Sequence, residues 1–334
     1  MSITAVGLVV HTGKDRAVAA AAQVRRWAAA HDIPCTDIDV WSAEPHETRL
    51  SAVDEAKKAG HPGLIVTVGG DGTFLRGARV AARAGAAILG VDVGRVGFLT
   101  EAAVDGLIDA LDAVLAGKFT LDERLMLTMC ASRKLEIPTS IDALIRYGRG
   151  PTLPSPPVRE RVSEDPADGV PLDILALNDV VFEKLARDRQ ASVAVFVNGR
   201  HFASYSADAV IVSTPTGSTA YSFAAGGPIL SPKMEGLVFT PVAPHMSFNR
   251  SLVLGPTERV AVQVLERSGQ VAVSVDGALR GVLEPGDWIS VYAGAPKTRL
   301  IRLADIDFLD RMRTRLGLAD AMAAVADGTA PDRI

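Results

Sequence analysis

The sequence predicts an α/β N-terminal domain on a parallel sheet, joined to a β-rich C-terminal domain. Three observations carry that expectation. Up to Leu121, compact apolar runs alternate with helical stretches, the order that builds a parallel sheet with helices on its faces. Beyond Leu121, short apolar runs separated by turn residues take over, as in a β-sandwich. From Asp305 to Val325 the spacing is helical again.

Each element follows from its local pattern. Ala5–Val10 is an apolar run that stops at His11-Thr12-Gly13, and the Ala-rich stretch Asp15–Ala30 reads as a helix with Trp27 on its apolar side. Leu64–Val68 is a β-branched run before two glycines; Phe74–Arg83 is helical in composition and Ala87–Val91 strand-like. Leu107, Ile108, Leu111, Val114 and Leu115 give Val104–Leu115 helical spacing. The sheet this implies is Rossmann-like, and ligands of such sheets lie outside the carboxyl ends of the strands. The second region offers strands at Leu125–Cys130, Ile174–Phe182, Val193–Val197, Val210–Ser213, Val260–Leu265, Val271–Val275, Trp288–Tyr292 and Thr298–Leu303. Asn198-Gly199, Asp276-Gly277 and Pro285-Gly286 supply turns between them. A proline-rich, charged stretch over 146–171 reads as a long mobile surface loop inside the β domain. The expected domains are therefore 1–122 and 123–303, followed by a helical C-terminal segment 304–334.

Composition narrows the function. Of 334 residues, 48% are apolar and 22% charged, an ordinary globular balance. A net charge of −4 gives no sign of a nucleic-acid partner, so any anionic ligand must rely on backbone N–H groups and a few local cations. Cys35 and Cys130 stand far apart without a nearby pair of histidines, which argues against disulfide and zinc frameworks and fits a reducing cytoplasm. The six histidines show no metal spacing; His245 reads as structural or as part of a subunit contact. The first residues do not resemble a signal peptide, and no apolar stretch has the length of a membrane span.

The richest motif is Gly69-Gly70-Asp71-Gly72-Thr73, between the strand at Leu64 and the helix at Phe74. Glycine permits positive φ and close approach of a ligand to the backbone. The N–H groups of the loop and of the following helix terminus can cradle phosphate oxygens, and Thr73 can cap the helix and touch a phosphate. A carboxylate in a phosphate cradle is unfavourable by itself. It makes sense if Asp71 serves a metal ion or an acceptor hydroxyl. The plainer alternative is a tight turn with Asp71 as the N-cap.

The motif resembles the signature of the NAD kinase and diacylglycerol kinase superfamily. Further segments look like NAD kinases in particular: Leu89 to Glu101, Ala176-Leu177-Asn178-Asp179-Val180-Val181, Ser213 to Ser222, Ala225-Gly226-Gly227-Pro228, and Ser274-Val275-Asp276-Gly277. They follow one another in register from about Val6 to Leu316. The resemblance implies phosphorylation of the adenosine-ribose 2′-hydroxyl of NAD to NADP, with ATP or polyphosphate as donor and Mg²⁺ or another divalent cation on the phosphates. It also implies that the 304–334 segment packs back on the first domain, and a homodimer or homotetramer.

By the same resemblance, Asp71 is the catalytic residue. Gly72, Asn178, Asp179, Asp208, Thr219, Ala220, Tyr221, Ala224 and Asp276 contact NAD together with Asp71. Gly69, Gly70, Gly72, Thr73, Arg76 and Arg189 meet phosphate. Tyr221 would stack on or flank the adenine, while Ser218 or Thr219 could cap the helix there. Read on their own, these positions have plainer explanations. Arg76 could lie on a solvated helix face, Asn178-Asp179 at an edge or bulge, Tyr221 in a core, and Asp276-Gly277 in a hairpin turn. Asp92, Ser206 and Ala209 depart from the family pattern. Two alternatives share parts of the motif set: a lipid kinase with the same glycine loop, and a dinucleotide-binding regulator without turnover.

Overall fold

The computed structural model describes residues 3–40, 52–94, 97–138, 169–185, 189–246, 248–304 and 308–318. The expected 146–171 loop lies outside them except at its end, where Val170 and Pro171 already belong to a strand.

The N-terminal part is an alternation of β1 (Val6–Val10), α1 (Asp15–Ala30), β2 (Cys35–Asp37), α2 (Ala52–Lys58), β3 (Leu64–Gly69), α3 (Asp71–Ala84), β4 (Ala87–Asp92), β5 (Ala102–Ala103) and α4 (Leu107–Leu115). Its strands pair in parallel, β1 between β2 and β3, and β4 between β3 and β5. The run Leu64-Ile65-Val66-Thr67-Val68 is apolar because both faces of β3 are covered. Leu64, Val66 and Val68 enter the core under α1 and α4, whereas Ile65 enters the one under α2 and α3. Alanine lets α1 sit close to the sheet: Ala17, Ala20, Ala21, Val24, Trp27 and Ala28 are its buried stripe. Trp27 Nε1 donates to Asp112 Oδ1 at 2.7 Å, tying α1 to α4.

Two long strands carry this sheet into the C-terminal half. β6 (Thr120–Ala131) and β17 (Trp288–Arg302) are antiparallel partners, and the last residues of β17 pair in parallel with β4. The sequence suggests two strands where β17 is one. The Gly294-to-Thr298 stretch is absorbed as a shift in register. The remaining strands are β7 (Val170–Ala176), β8 (Asp179–Lys184), β9 (Ala191–Val197), β10 (Arg200–Ala207), β11 (Ala209–Ser213), β12 (Leu237–Val242), β13 (Leu252–Leu254), β14 (Arg259–Val264), β15 (Val271–Val275) and β16 (Ala278–Leu283). β13-β12-β11-β8-β15-β16 form a second, antiparallel sheet. It shares one core with β6, β7, β9, β10, β14 and β17 of the first, centred on Tyr205, Phe182 and Phe239.

The expected strand Ile174–Phe182 is two strands, not one. β7 belongs to the first sheet and β8 to the second, and the chain changes sheets at Leu177-Asn178. Asn178 and Asp179 are therefore at a crossing between sheets rather than on an edge or bulge. A four-residue helix, α5 (Tyr221–Ala224), follows the β11 loop. The C-terminal helix α6 (Phe308–Leu316) ends at Gly317, whose φ of +60° closes it. The expected helix to Val325 is thus shorter among the described residues, and 319–334 lie outside them.

Candidate active site

The glycine loop leaves β3 at its carboxyl end, as parallel-sheet chemistry requires. Gly70 is the N-cap of α3, with φ −128° and no side-chain cap, and Asp71 is the first helical residue. The capping roles open for Asp71 and Thr73 therefore fall away. Positive φ is not the reason for the glycines either, since none of the three is in the left-handed region. Space is the reason. A Cβ on Gly69 would stand 2.1 Å from Thr73 Oγ1, and one on Gly70 or Gly72 would project into open space. Backbone is thereby presented bare at the helix N-terminus. Thr73 Oγ1 is buried without a hydrogen-bond partner among the described residues.

The Asp71 side chain turns to the 97–101 segment. A Cβ on Gly97 would lie 2.1 Å from Asp71 Oδ1, and the Leu99 N–H donates to that oxygen at 3.4 Å. Burial pushes the carboxyl above its ordinary value, against the Leu99 N–H, the Arg315 charge and the Phe98 N–H, while Asp92 adds to the rise. Asp92, a departure from the family pattern, organises the same segment. Its Oδ1 accepts the Gly94 N–H at 2.7 Å and its Oδ2 the Thr100 hydroxyl at 3.3 Å, while Thr100 Oγ1 accepts the Gly97 N–H at 2.6 Å. Two donors thus meet two acceptor oxygens, which an amide could not offer both at once.

Asp276 is both a hairpin turn and an anchor. Asp276 and Gly277 have φ of +49° and +74° between paired Val275 and Ala278, the two-residue loop an Asp-Gly pair favours. Its carboxylate accepts the N–H groups of Leu177 (3.0 Å), Asn178 (2.7 Å) and Asp179 (3.3 Å). Burial pushes Asp276 up, against these three donors and Arg79. Burial, and then the Asp276 charge, push the buried Asp179 up to about 7. On the other side, the Thr214 N–H donates to Asn178 O at 2.9 Å and Thr214 Oγ1 to Leu177 O. A Cβ on Gly217 would meet Asn178 O at 2.0 Å. The Asn178-Asp179 crossing is thus pressed between the 276–277 hairpin and the 214–217 loop.

That loop leads to Thr219, Ala220, Tyr221 and Ala224. Ser218 and Thr219 do not cap α5: Ser218 Oγ donates to Pro215 O and Thr219 Oγ1 to Thr216 O, at 2.6 and 3.2 Å. Tyr221 is 42% exposed, so it is not a core residue. Asp208 and Arg189 are not brought to this place. Asp208 pairs with Lys184, at the far end of β8 from Asp179, and Arg189 is exposed beside Gly269. Ser206 donates to Gln190 Oε1 at 2.7 Å.

A cavity of ≈ 460 Å³ opens on the glycine loop, lined by Gly70, Gly72 and Thr73 but not by Asp71. Arg76 lines it together with four basic side chains that sequence reasoning missed: His11, Lys14, Arg79 and Arg280. Three of these left a signal. His11 and Lys14 follow β1, a neighbouring parallel strand, and Arg79 is one turn beyond Arg76 on α3; Arg280 left none. Among the described residues no cluster of three or more His, Cys, Asp or Glu is placed to hold a metal ion. No described helix is long and apolar enough to cross a membrane.

A bare glycine loop beside a half-buried carboxylate, at the carboxyl end of a parallel strand, is the geometry of a phosphotransferase site. Residues 6–119 match the ATP-NAD kinase N-terminal domain and residues 177–303 the ATP-NAD kinase C-terminal domain. The chain belongs to the ATP-NAD kinase family and is a kinase. NAD kinase 1 of Streptomyces avermitilis is 58% identical over 99% of this chain and 92% of its own. NAD kinase 1 of Streptomyces coelicolor is 58% identical over 98% and 90%. Among solved structures, yeast NADH kinase complexed with NADH has a TM-score of 0.72 at 19% identity, covering 96% of this chain and 90% of its own. The match spans both halves rather than the glycine loop alone, which sets aside the lipid-kinase alternative.

Proposed function

We propose that this kinase transfers the terminal phosphoryl group of ATP to the adenosine-ribose 2′-hydroxyl of NAD, giving NADP and ADP. The observation that carries the details is the placement of the Asp71 carboxylate, half-buried and held by Leu99, next to a cationic cavity floored by bare glycine backbone. In this reading the polyphosphate lies over Gly70, Gly72 and Thr73, with Lys14, Arg76, Arg79 and Arg280 offsetting its charge. Asn178, Asp179 and the Thr219–Ala224 stretch hold the dinucleotide, with Tyr221 at the base. Asp71 orients the ribose hydroxyl and takes its proton as the new P–O bond forms and the bond to ADP breaks. In a loose transition state that proton leaves late, so position outweighs basicity.

A divalent cation fits this site when the nucleotide brings it. Mg²⁺ needs only one or two carboxylates besides phosphate oxygens and water; Asp71 belongs to the glycine loop itself and Asp276 lines the cavity. When bound it would neutralise charge on the phosphates.

Asp276 enters this reading through the N–H groups it fixes around Asn178. Asp208 and Arg189 keep their assigned NAD and phosphate contacts only if a part of the assembly brings them to the substrate. We propose a homodimer or homotetramer, a cytoplasmic location, and the domain limits 1–122, 123–303 and 304–334. NADP formation from NAD, ATP and Mg²⁺, followed in a coupled assay, tests the proposal. NAD binding with no turnover under any donor would overturn it.

A further inference from the structure

Behind Asp71 lies a chain of buried charges for which the reaction chemistry alone gives no reason. The Glu101 side chain is 2% exposed, and those of Arg302 and Arg311 are 9% and 10%. Glu101 Oε1 accepts the N–H groups of Leu303 (2.9 Å) and Ala304 (3.3 Å), and Oε2 accepts from Arg302 (3.0 Å) and Arg311 (2.5 Å). The same two guanidiniums reach past the carboxylate to backbone. Arg302 Nη1 donates to Leu99 O at 3.3 Å and Arg311 Nη1 to Thr100 O at 3.0 Å. Leu99, whose carbonyl Arg302 holds, is the residue whose N–H holds Asp71. Arg302 continues through Asp122 to Arg124, and Arg124 donates to Thr216 Oγ1 at 3.2 Å.

Isolating four charged side chains (Glu101, Arg302, Arg311 and Arg124) from water is costly unless each is paired. Burial pushes the Glu101 carboxyl up, but the Leu303 N–H, Arg311 and Arg302 outweigh it and hold it below its ordinary value. Apolar residues could tie α6 to the sheet at less cost. What they could not do is grip two consecutive carbonyls in fixed directions, as two guanidinium forks can.

We propose that Glu101, Arg302 and Arg311 are positioning residues for the Asp71 carboxylate. They fix the 97–101 segment from behind, so that the C-terminal helix, through Arg311, sets where the reacting oxygen points. The inference rests on the assignment of Asp71 as the catalytic group.

The test compares Arg311→Met and Arg311→Lys in the full chain, each alone and combined with Asp71→Asn. The readouts are kcat, the KM of NAD, the pH profile of kcat and the thermal midpoint. Arg311→Met is expected to lower kcat by about 10²-fold, the scale of an ångström of misplacement, with the KM of NAD changed by less than about threefold. Its acidic limb should move to higher pH, because the Leu99 and Phe98 N–H groups that pull Asp71 down are loosened. Arg311→Lys, which can reach Glu101 or Thr100 O but not both, should recover part of the rate. In the Asp71→Asn background, Arg311→Met should leave the residual rate unchanged. Independent multiplication of the two losses overturns the proposal, as does an unchanged kcat or pH limb in Arg311→Met. If Arg311→Met does not fold, the Lys variant decides on the same terms. Full activity in Asp71→Asn alone would instead remove the assignment on which the inference stands.

Discussion

Gly97 faces the carboxylate of Asp71 so closely that a Cβ at residue 97 would stand 2.1 Å from Oδ1 and 2.5 Å from Oδ2. The contact is to both oxygens of one short side chain, which also accepts the Leu99 N–H. Gly97→Ala is therefore expected to displace Asp71 and lower kcat by two orders of magnitude or so, the scale of misplacing a reacting group. The thermal midpoint should move by only a few degrees. An alanine variant with normal kcat would show that the carboxylate position does not matter.

Gly217 has the same relation to the other half of the site, since a Cβ there would meet Asn178 O at 2.0 Å. That neighbour is backbone and cannot swing away. Gly217→Ala should push the Asn178-Asp179 crossing out of place and raise the KM of NAD at least about tenfold, a loss of one good hydrogen bond to a charged group. The KM of ATP should change less, because the glycine loop is untouched. Steady-state kinetics with each substrate varied in turn would show the split.

Asp179 sets a pH dependence. Burial and the Asp276 charge raise it from 3.8 to about 7 in the folded protein, so between those values the folded chain holds a proton that the unfolded chain has lost. Stability from this group is complete below the ordinary carboxylate range and is lost as pH rises through 7. Asp179→Asn removes that loss and should stabilise the protein at pH 8, by about 4 kcal/mol as an upper bound. Thermal midpoints across pH 4 to 9 should fall less steeply for the variant; parallel curves would refute the shift.

Arg76 tests the donor side. It lines the cavity one turn beyond the glycine loop, where in the proposed reading its guanidinium offsets the charge of the polyphosphate. Arg76→Met should raise the KM of ATP about tenfold or more, by removing a charge-assisted bond, and leave the KM of NAD nearly unchanged. A larger effect on NAD would move the donor site elsewhere.

The N-terminal half was legible because its signals are local. The Ala-rich stripe gave α1 its ends at Asp15 and Ala30, and β3 showed as a β-branched run. The C-terminal half hid what depends on pairing. Strands β10 and β13 are exposed or short, and β16 contains Arg280 and Gly281, so periodicity does not mark them. The apolar residues on both sides of Asn178-Asp179 concealed a change of sheet at Leu177-Asn178, because both strands are buried. At the site, the glycine loop and Asn178-Asp179 stood out as polar or bare residues inside apolar runs. The Glu101–Arg302–Arg311 chain did not, since its members are far apart in sequence and meet only in the fold.

Asp71 is the centre of the account, and its replacement is the most direct measurement. With NAD, ATP and Mg²⁺ supplied, Asp71→Asn is expected to bind NAD like the parent and to form NADP several orders of magnitude more slowly, as a lost proton acceptor and misdirected hydroxyl require. NADP formation at an undiminished rate by Asp71→Asn would contradict it.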